Sequence, residues 1–171
     1  MSENFKSRLK HIDTLIFDID GVMTDGKFYF MPDGTPIRGQ NIKDSYALQM
    51  AAKKGYRLAV ISGGSSEAVK KSLQHLGIEY VFLKQHDKLS CYKDFIAEHS
   101  IDEKHILYMG DDLPDYEVMQ RVSVACCPAD AATEIKDISI YVSAKNGGEG
   151  CVRDIVEQVM RVRGDWEITH W

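Results

Sequence analysis

Short apolar runs rich in β-branched and aromatic residues recur along this chain, and each is followed by a stretch with helical spacing. Strands that alternate with helices of about ten residues indicate βαβ units, which build a parallel sheet with helices on both faces. We therefore predict an α/β fold, a doubly wound parallel sheet of Rossmann-like type. The predicted strands are residues 12–17, 57–61, 80–83, 105–109, 122–126 and 139–142, and the predicted helices are residues 45–54, 66–76, 88–99, 115–120, 131–136 and 150–163.

A segment of a different kind, residues 27–41, lies between the first strand and the first helix. Its aromatic run Phe28-Tyr-Phe30 is followed by Asp33-Gly34 and a second extended stretch, which is the pattern of a β-hairpin with Asp-Gly in its turn. No repeat or linker interrupts the chain, so we predict a single domain over residues 1–171 with this hairpin as a flap. Residues 164–171 form a tail that holds both tryptophans and shows no periodicity.

Charge and composition exclude several classes of protein. The balance of 21 Lys+Arg against 26 Asp+Glu gives a net charge of −5, and no basic cluster marks a nucleic-acid surface. The apolar runs are too short to span a membrane, and the first residues lack the apolar core of a signal peptide. We therefore expect a cytoplasmic protein, in which the four cysteines, without any C-x-x-C spacing, are free thiols.

Acidic residues follow the first and fourth predicted strands, and ligands of a doubly wound sheet bind beyond the carboxyl ends of its strands. Asp18 and Asp20 lie two positions apart, so extended backbone places both on one side, where they favour a cation. Isolated pairs of this kind are mostly solvated loop acids, but here a glycine follows a strongly apolar strand. Asp111 has no role in starting a helix, whereas Asp112 and Asp115 suit such a role. Together, Asp18, Asp20 and Asp111 form the oxygen ligand set that Mg²⁺ prefers.

Residues at two further strand ends suit an anion. Ser62 is followed by Gly63 and Gly64, so a hydroxyl and unobstructed backbone N–H groups can cradle a phosphate oxygen. A plain tight turn has the same pattern. Lys88 begins a predicted helix and so faces the positive end of the helix dipole, which is unfavourable for a cation unless an anion holds it. The alternative for Lys88 is an ordinary surface lysine.

The ordered set of these motifs resembles the haloacid dehalogenase superfamily of phosphohydrolases. It consists of D-x-D-G from Asp18, the strand-end Ser62, Lys88 and G-D-D-x-x-D from Gly110. The similarity extends to residues 18–26, 41–44 and 147–150 with Arg153, and covers the chain from about residue 12 to about residue 163. It is similar to the small subfamily without a cap domain that dephosphorylates 3-deoxy-D-manno-octulosonate 8-phosphate. Sister enzymes act on the 9-phosphates of nine-carbon sialic-type acids.

The resemblance implies a Mg²⁺-dependent phosphatase of lipopolysaccharide precursor biosynthesis. Asp18 would attack phosphorus to form an aspartyl-phosphate, and Asp20 would serve as acid and base. Mg²⁺ would be held by Asp18, the backbone carbonyl of Asp20 and Asp111. Ser62, Gly63 and Lys88 would bind phosphate oxygens. Asp112 and Asp115 would orient metal-bound water or Lys88, although Asp115 has the alternative of starting the helix. Further substrate contacts are expected from the group Asn41, Ile42, Lys43, Asp44, Ser45 and Gly64.

The substrate prediction depends on two positions that depart from the subfamily pattern. In octulosonate phosphatases we expect an Arg after the Ser/Thr-Gly pair and a basic residue on the next helix. Here these positions hold Gly64 and Ser72, with Lys70 and Lys71 beside Ser72. In the sialic-type enzymes we expect a Glu where Gly64 stands. Because that Glu is absent, we predict octulosonate 8-phosphate as substrate and keep the nine-carbon 9-phosphates as the alternative.

Proteins of two other classes share parts of this pattern. A phospho-receiver domain also uses acids, Mg²⁺, a Ser/Thr and a Lys on such a sheet, but its phosphoacceptor Asp ends the third strand. Here the third predicted strand ends in Leu83-Lys84. A regulatory family member without catalysis is disfavoured, because the acidic residues and the lysine are all present.

The missing cap domain predicts an oligomer. The gaps at residues 21–44 and 84–104 hold little more than the hairpin and one helix, so neither covers a sugar phosphate. A site left open to water has weakened electrostatic contacts. We therefore predict a homotetramer in which the apolar hairpins pack together and each lies over a neighbour's site. The tail at residues 164–171 either adds to this contact or folds back on its own subunit.

Overall fold

The centre of the computed structural model, which describes residues 4–167, is a sheet of six parallel strands in the order β5-β4-β1-β6-β7-β8. These are β1 (Thr14–Phe17), β4 (Arg57–Ile61), β5 (Tyr80–Phe82), β6 (Ile106–Met109), β7 (Val124–Cys127) and β8 (Tyr141–Val142), while β2 (Tyr29–Phe30) and β3 (Pro36–Ile37) form a separate hairpin. The chain builds outward from β1 through β4 and β5 and then crosses to the other side of β1. The strand order therefore switches next to β1, where such sheets bind ligands.

Helices cover both faces of this sheet. They are α1 (Phe5–Leu9), α2 (Ile42–Lys53), α3 (Glu67–His75), α4 (Lys88–Glu98), α5 (Tyr116–Met119), α6 (Thr133–Ile138) and α7 (Cys151–Arg163). One buried core contains side chains of α1, α2, α3 and α7, and the other contains side chains of α4, α5 and α6. The predicted doubly wound α/β fold is confirmed, and residues 4–167 contain no cap domain.

Side chains along β1 explain why the sheet needs helices on both faces. Leu15 and Phe17 pack into the core beneath α2 and α7, whereas Ile16 packs into the opposite core, and all three are fully buried. Apolar residues on both faces are typical of a central strand in a parallel sheet. Every residue of β1 pairs with both β4 and β6. The residues that follow β1 therefore lie at the middle of the sheet edge.

The hairpin within residues 27–41 has two strands of only two residues each, with Tyr29 opposite Ile37. None of these strand residues is buried. Phe30 is 70% exposed, and Phe28 and Met31 are also exposed. Within this chain the hairpin thus presents an apolar surface to solvent.

The structure differs from the predicted elements mainly at their ends. Helix α2 begins at Ile42 rather than residue 45, because the Asn41 side chain caps it by accepting a hydrogen bond from the Lys43 N–H. Helix α1 has five residues, too few for a periodic pattern to reveal it. The predicted helix at 115–120 begins as a 3-10 turn, Leu113–Asp115, before α5. Of the tail, residues 168–171 lie outside the described residues.

The cysteines and the lengths of the helices agree with what the composition predicts. The cysteines are all free thiols, and only Cys91 is partly exposed. Within residues 4–167, no helix combines the length and the apolar character that crossing a bilayer requires.

Candidate active site

The candidate active site lies at the carboxyl edge of the sheet, where β4, β1 and β6 end side by side. Asp18 directly follows β1, and its backbone N–H donates to the Met109 carbonyl of β6 at 3.1 Å. Ser62 directly follows β4, and its N–H donates to the Phe82 carbonyl of β5 at 3.0 Å. The cavity there, about 540 Å³, is lined by a set that includes Asp18, Asp20, Ser62, Gly63, Gly64, Lys88, Asp111, Asp112 and Asp115. The fold thus brings residues from four separate loops to one place.

Lys88 lies at the bottom of this cavity and is 5% exposed, so it is not a surface lysine. Its Nζ is 3.0 Å from Asp18 Oδ2 and 2.7 Å from Asp115 Oδ1. Burial acts to lower the pKa of this lysine, but the carboxylates of Asp115 and Asp18 outweigh that effect and raise it. Lys88 is therefore a fixed cation at the start of α4, held there by anions.

Three acidic side chains share a small volume beside Lys88. One carboxylate oxygen from each of Asp18, Asp111 and Asp115 lies within 4.8 Å of the others. Burial, with a contribution from the Asp115 charge, raises the pKa of Asp18 to about 6. Burial, together with the charges of Asp18 and Asp115, raises the pKa of Asp111 to about 8. One lysine does not neutralise three carboxylates, so the cluster favours a further cation.

This cluster fits a hard divalent cation such as Mg²⁺, because its donors are carboxylate oxygens. Asp18 Oδ1 is buried without a hydrogen-bond partner, whereas Oδ2 contacts Lys88, so Oδ1 is available to a metal ion. The grouping differs from the predicted ligand set in one member. Asp115 lies within it, whereas the Asp20 carboxylate is paired elsewhere. Only the backbone carbonyl of Asp20, the atom that the resemblance implies, is left for such a role.

Asp115 connects the cluster to Lys88. Its Oδ1 accepts hydrogen bonds from Lys88 Nζ at 2.7 Å and from the Tyr108 hydroxyl at 2.6 Å. Its Oδ2 accepts from the Asp111 N–H at 3.2 Å. The side chain makes no capping hydrogen bond to α5, so starting the helix does not explain this residue. Gly110 makes the arrangement sterically feasible, since a Cβ there would lie 2.5 Å from Asp115 Cγ.

Asp112, the neighbouring acid, has a different environment. It is exposed, and its Oδ1 accepts from the Leu113 N–H at 2.8 Å, which starts the 3-10 turn. It lines the cavity but is not a member of the acidic cluster.

The loop after β4 forms a cradle for an anion opposite Lys88. The Ser62 hydroxyl is buried and accepts from the Gly64 N–H at 3.2 Å. The next loop holds this one in place, because the Lys84 N–H donates to the Gly64 carbonyl and the Gln85 N–H to the Ser62 carbonyl. Among the described residues, no protein group accepts a hydrogen bond from the Gly63 N–H. That N–H and the Ser62 O–H are therefore available to phosphate oxygens.

Asp20 lies at the mouth of the cavity and is paired with an arginine from the hairpin. Arg38 Nε lies 2.6 Å from Asp20 Oδ1, and Arg38 Nη2 lies 3.1 Å from Oδ2. The Thr24 hydroxyl also donates to Oδ1, at 3.4 Å. The Arg38 guanidinium lies over the Phe28 ring, 4.3 Å from its centroid. The hairpin thus reaches the active site through two side chains, Arg38 on Asp20 and Phe28, which also lines the cavity.

The substrate contacts predicted at the start of α2 lie outside this cavity. Asn41 Nδ2 donates to the Gly148 carbonyl at 3.1 Å, and Asp44 Oδ1 accepts from the Arg153 N–H at 2.7 Å. Both side chains therefore join α2 to the start of α7, and the Ser45 hydroxyl donates to the Asn41 carbonyl. Ile42 and Lys43 are exposed and line a separate groove with Tyr46, Arg153 and Trp166. Their contact with substrate stays a prediction.

The glycines at residues 147–150 have a packing role that explains their place in the motif. A Cβ on Gly147 would lie 2.0 Å from the Gly21 carbonyl oxygen, and one on Gly148 would lie 2.6 Å from the Asp25 nitrogen. This close backbone approach holds the loop after Asp20 against the start of α7.

Two residues of the site are not singled out by the sequence. Tyr108 lies inside an apolar strand, where a tyrosine is expected as core, and Arg38 follows a hairpin strand, where an exposed arginine is expected. The one available indication for Arg38 is its position near the end of the flap, close in sequence to the predicted substrate contacts.

This chain is similar in sequence and in fold to known phosphatases. The sequence profile of a haloacid dehalogenase-like hydrolase family matches residues 80–155. A probable YrbI family phosphatase from Pseudomonas syringae is 35% identical, with a TM-score of 0.90 over 94% of this chain and 91% of that chain. A 3-deoxy-D-manno-octulosonate 8-phosphate phosphatase from Moraxella catarrhalis, solved with a magnesium ion, a phosphate ion and KDO, is 29% identical. Its TM-score is also 0.90, over 94% of this chain and 92% of that chain.

A relative from Escherichia coli K12 is similar over the same extent. This 3-deoxy-D-manno-octulosonate 8-phosphate phosphatase is 29% identical over 164 residues, which cover 96% of this chain and 87% of that protein. The similarity therefore extends over nearly the whole length of the compared chains, and it includes the sequence as well as the fold. With its acidic cluster and buried lysine at the carboxyl edge of the sheet, this chain belongs to the haloacid dehalogenase-like hydrolases and is a phosphatase with no cap domain within residues 4–167.

Proposed function

We propose that this protein is a Mg²⁺-dependent phosphatase that hydrolyses 3-deoxy-D-manno-octulosonate 8-phosphate to the free sugar acid and phosphate. The observation that carries the proposal is the contact of Lys88 with Asp18, beside two further carboxylates and opposite the Ser62 loop. This arrangement supports the roles of Asp18 as nucleophile, of the acidic cluster as cation site and of the Ser62 loop as anion cradle, because all three border one cavity. The relatives named for this reaction are similar over almost the whole chain.

In the proposed reaction, Asp18 attacks phosphorus and forms an aspartyl-phosphate, which divides a slow hydrolysis into two easier steps. Lys88 fixes the orientation of Asp18 through Oδ2, and it also faces the space where phosphate oxygens would lie. The Ser62 hydroxyl and the Gly63 N–H bind the remaining phosphate oxygens. Asp115 keeps Lys88 in place.

A Mg²⁺ ion bound by Asp18, Asp111 and the Asp20 carbonyl would neutralise the carboxylates and stabilise charge on the phosphoryl oxygens. The remaining chemistry belongs to Asp20. It gives a proton to the leaving sugar alkoxide and then takes one from the water that hydrolyses the aspartyl-phosphate. Its position at the mouth of the cavity, on the loop after the nucleophile, supports this role.

The substrate assignment is tested by a phosphate-release screen over sugar-acid phosphates with Mg²⁺ present. We expect the highest kcat/KM for the octulosonate 8-phosphate, since that ratio measures discrimination. A higher value for a nine-carbon 9-phosphate would reverse the assignment to the sialic-type alternative. Gly64 favours the octulosonate 8-phosphate because it stands where the sialic-type enzymes are expected to have a Glu.

The chemical assignment is tested separately with Asp18→Asn. A neutral amide is a poor nucleophile and a weaker metal ligand, so nearly all turnover should be lost. Substantial activity of Asp18→Asn, or full activity of the unaltered enzyme in excess chelator, would exclude the mechanism.

We further propose that the enzyme works as a cytoplasmic homotetramer. The apolar hairpin residues Phe28, Tyr29, Phe30, Met31 and Ile37 support this, because all five are exposed on a very small element. Multi-angle light scattering decides the oligomeric state. A stable and fully active monomer would end the proposal.

A further inference from the structure

Arg38 is the one hairpin residue whose side chain contacts a proposed catalytic group among the described residues. Its side chain is 12% exposed, although it starts from an element that is otherwise in solvent. It is enclosed by the Phe28 ring on one side and by Asp20 on the other. An arginine held between an aromatic ring and a carboxylate loses much of its freedom, so it can fix the group it binds.

The two oxygens of Asp20 are in different environments. Oδ1 accepts a short hydrogen bond from Arg38 Nε at 2.6 Å and lies 3.4 Å from Thr24 Oγ1, whose one O–H is shared with the Ile19 carbonyl at the same distance. Oδ2 has only the longer contact with Arg38 Nη2, at 3.1 Å. Oδ1 is therefore the oxygen that the protein holds, and Oδ2 is the less committed one.

Gly64 shows which way Oδ2 faces. A Cβ on this glycine would lie 3.6 Å from Asp20 Oδ2, 3.6 Å from Arg38 Nη2 and 3.5 Å from the Ser62 hydroxyl. The space beside Gly64 thus borders Asp20 Oδ2, the Arg38 Nη2 that contacts it and the hydroxyl of the anion cradle. A phosphate ester in that cradle would present its leaving oxygen to this side of Asp20.

From this geometry we propose that Arg38 is a positioning residue for Asp20. Its Nε holds Oδ1, while Oδ2 carries the proton of the neutral carboxyl and gives up the longer Nη2 contact. That proton passes to the leaving alkoxide, and the resulting Asp20 carboxylate takes one back from the attacking water. The proposal rests on the proposed function. It also gives the hairpin a part in the chemistry, because Arg38 directly follows β3 and is held by Phe28.

The test compares two kinds of leaving group in Arg38→Gln. An alkoxide such as the octulosonate needs a proton as it leaves, whereas p-nitrophenolate leaves without one. For a reaction through an aspartyl-phosphate, kcat/KM covers only the steps up to leaving-group release, so the later hydrolysis does not affect the comparison. We expect Arg38→Gln to lower kcat/KM for the sugar phosphate by about tenfold to a hundredfold, and for p-nitrophenyl phosphate by less than about threefold.

Two further variants distinguish positioning from a general effect on the fold. In an Asp20→Asn background, Arg38→Gln should produce no further loss with the sugar phosphate, because the group it positions is gone. Arg38→Lys should recover part of the loss, since it keeps the charge but not the paired contact. The matched control is Arg121→Gln, since Arg121 also binds a carboxylate through Nε, Glu103 at 2.8 Å, but at the opposite edge of the sheet.

Equal losses for both substrates, or independent losses in Arg38→Gln and Asp20→Asn, would overturn the positioning role. Circular dichroism melting of each variant checks that the fold is intact, and a variant that does not fold is replaced by Arg38→Lys in the same comparison. If the unaltered enzyme hydrolyses neither ester with Mg²⁺, the proposed function fails. If the unaltered enzyme is active but Arg38→Gln loses the same activity with both esters, only the positioning role of Arg38 fails.

Discussion

The Asp44 carboxylate, in the first turn of α2, accepts a hydrogen bond from the Arg153 N–H, in the first turn of α7, at 2.7 Å. Helix α7 has Gly150 at its N-cap and no side chain of its own to cap it. Asp44 thus serves as the cap of a neighbouring helix, where an acid also interacts favourably with the helix dipole. Its Oδ2 is buried without a partner, and burial raises the pKa of Asp44 to about 6.

This raised pKa predicts a pH-dependent contribution to stability. Because the pKa of Asp44 in the folded state exceeds the ordinary aspartate value of 3.8, the contribution is complete below about pH 4 and is lost as the pH rises through about 6. The shift corresponds to at most about 3 kcal/mol. Asp44→Asn keeps an oxygen for the Arg153 N–H but does not titrate. We expect its free energy of unfolding, relative to the unaltered protein, to increase by up to this amount between pH 4 and pH 7.

Urea unfolding at several pH values measures this difference. Asp94→Asn is the matched control, because Asp94 is an exposed aspartate on α4. A constant difference between Asp44→Asn and the unaltered protein across the pH range would contradict the burial argument.

The acidic cluster predicts a second effect, on metal binding. The pKa of Asp111 is about 8 without a cation, so its charged form is unfavourable in the folded protein and costs stability as the pH rises through that value. In chelator at pH 8.5, Asp111→Asn should therefore melt at a higher temperature than the unaltered protein. Added MgCl₂ should raise the melting temperature of the unaltered protein. The rise should be much smaller for Asp111→Asn, because this variant lacks one carboxylate ligand of the ion.

Asp137→Asn, at an exposed aspartate of α6, provides the control for this experiment. A Mg²⁺-induced rise of equal size in Asp111→Asn would show that Asp111 does not hold the ion.

The sequence predicts the sheet and the strand-end residues because both depend on local patterns. Apolar runs predict the strands, and polar residues directly after a buried strand indicate a binding site at the sheet edge. Side chains that act across the fold are harder to predict. Asn41 and Asp44 match a substrate-binding motif, but their partners are backbone groups near residue 150, more than a hundred positions away.

Asp115 shows the same limit at shorter range. From the sequence its helix-start role and its role beside the metal are equally reasonable, since both need an acid at this position. Only the fold shows that Lys88 and Tyr108 reach the same oxygen. Arg38 is an extreme case, because no periodicity or motif distinguishes an arginine that contacts Asp20 from one in solvent.

The Tyr108 hydroxyl is expected to contribute to catalysis through Asp115. Tyr108 is fully buried and donates to Asp115 Oδ1 at 2.6 Å, so Tyr108→Phe leaves Asp115 with Lys88 as the only donor to that oxygen. Losing a hydrogen bond to a charged group costs about 1.5–3 kcal/mol. We expect a lower melting temperature and, because Lys88 is less well held, a kcat reduced about tenfold.

Tyr92→Phe separates these two effects. Tyr92 is also fully buried, and its hydroxyl is 3.4 Å from Glu103, far from the cavity. We expect this variant to lose some stability without a change in kcat. If both variants had the same kcat as the unaltered enzyme, Tyr108 would be a core residue only.

Gly110 allows a test of the Asp115–Lys88 contact that alters neither residue. A Cβ at position 110 would lie 2.5 Å from both Cβ and Cγ of Asp115, closer than real Cβ contacts come. Because Cβ is fixed by the backbone, Gly110→Ala must move Asp115 together with its backbone. Lys88 then loses its shorter ion pair, at 2.7 Å, and Asp18 loses a fixed partner. We expect kcat to fall at least about tenfold, a barrier increase of about 1.4 kcal/mol or more, while the protein stays folded. Gly39→Ala is the control, because a Cβ there meets nothing within 4 Å, and it should leave steady-state phosphate release unchanged. Full activity in Gly110→Ala would mean that Lys88 positions Asp18 without help from Asp115.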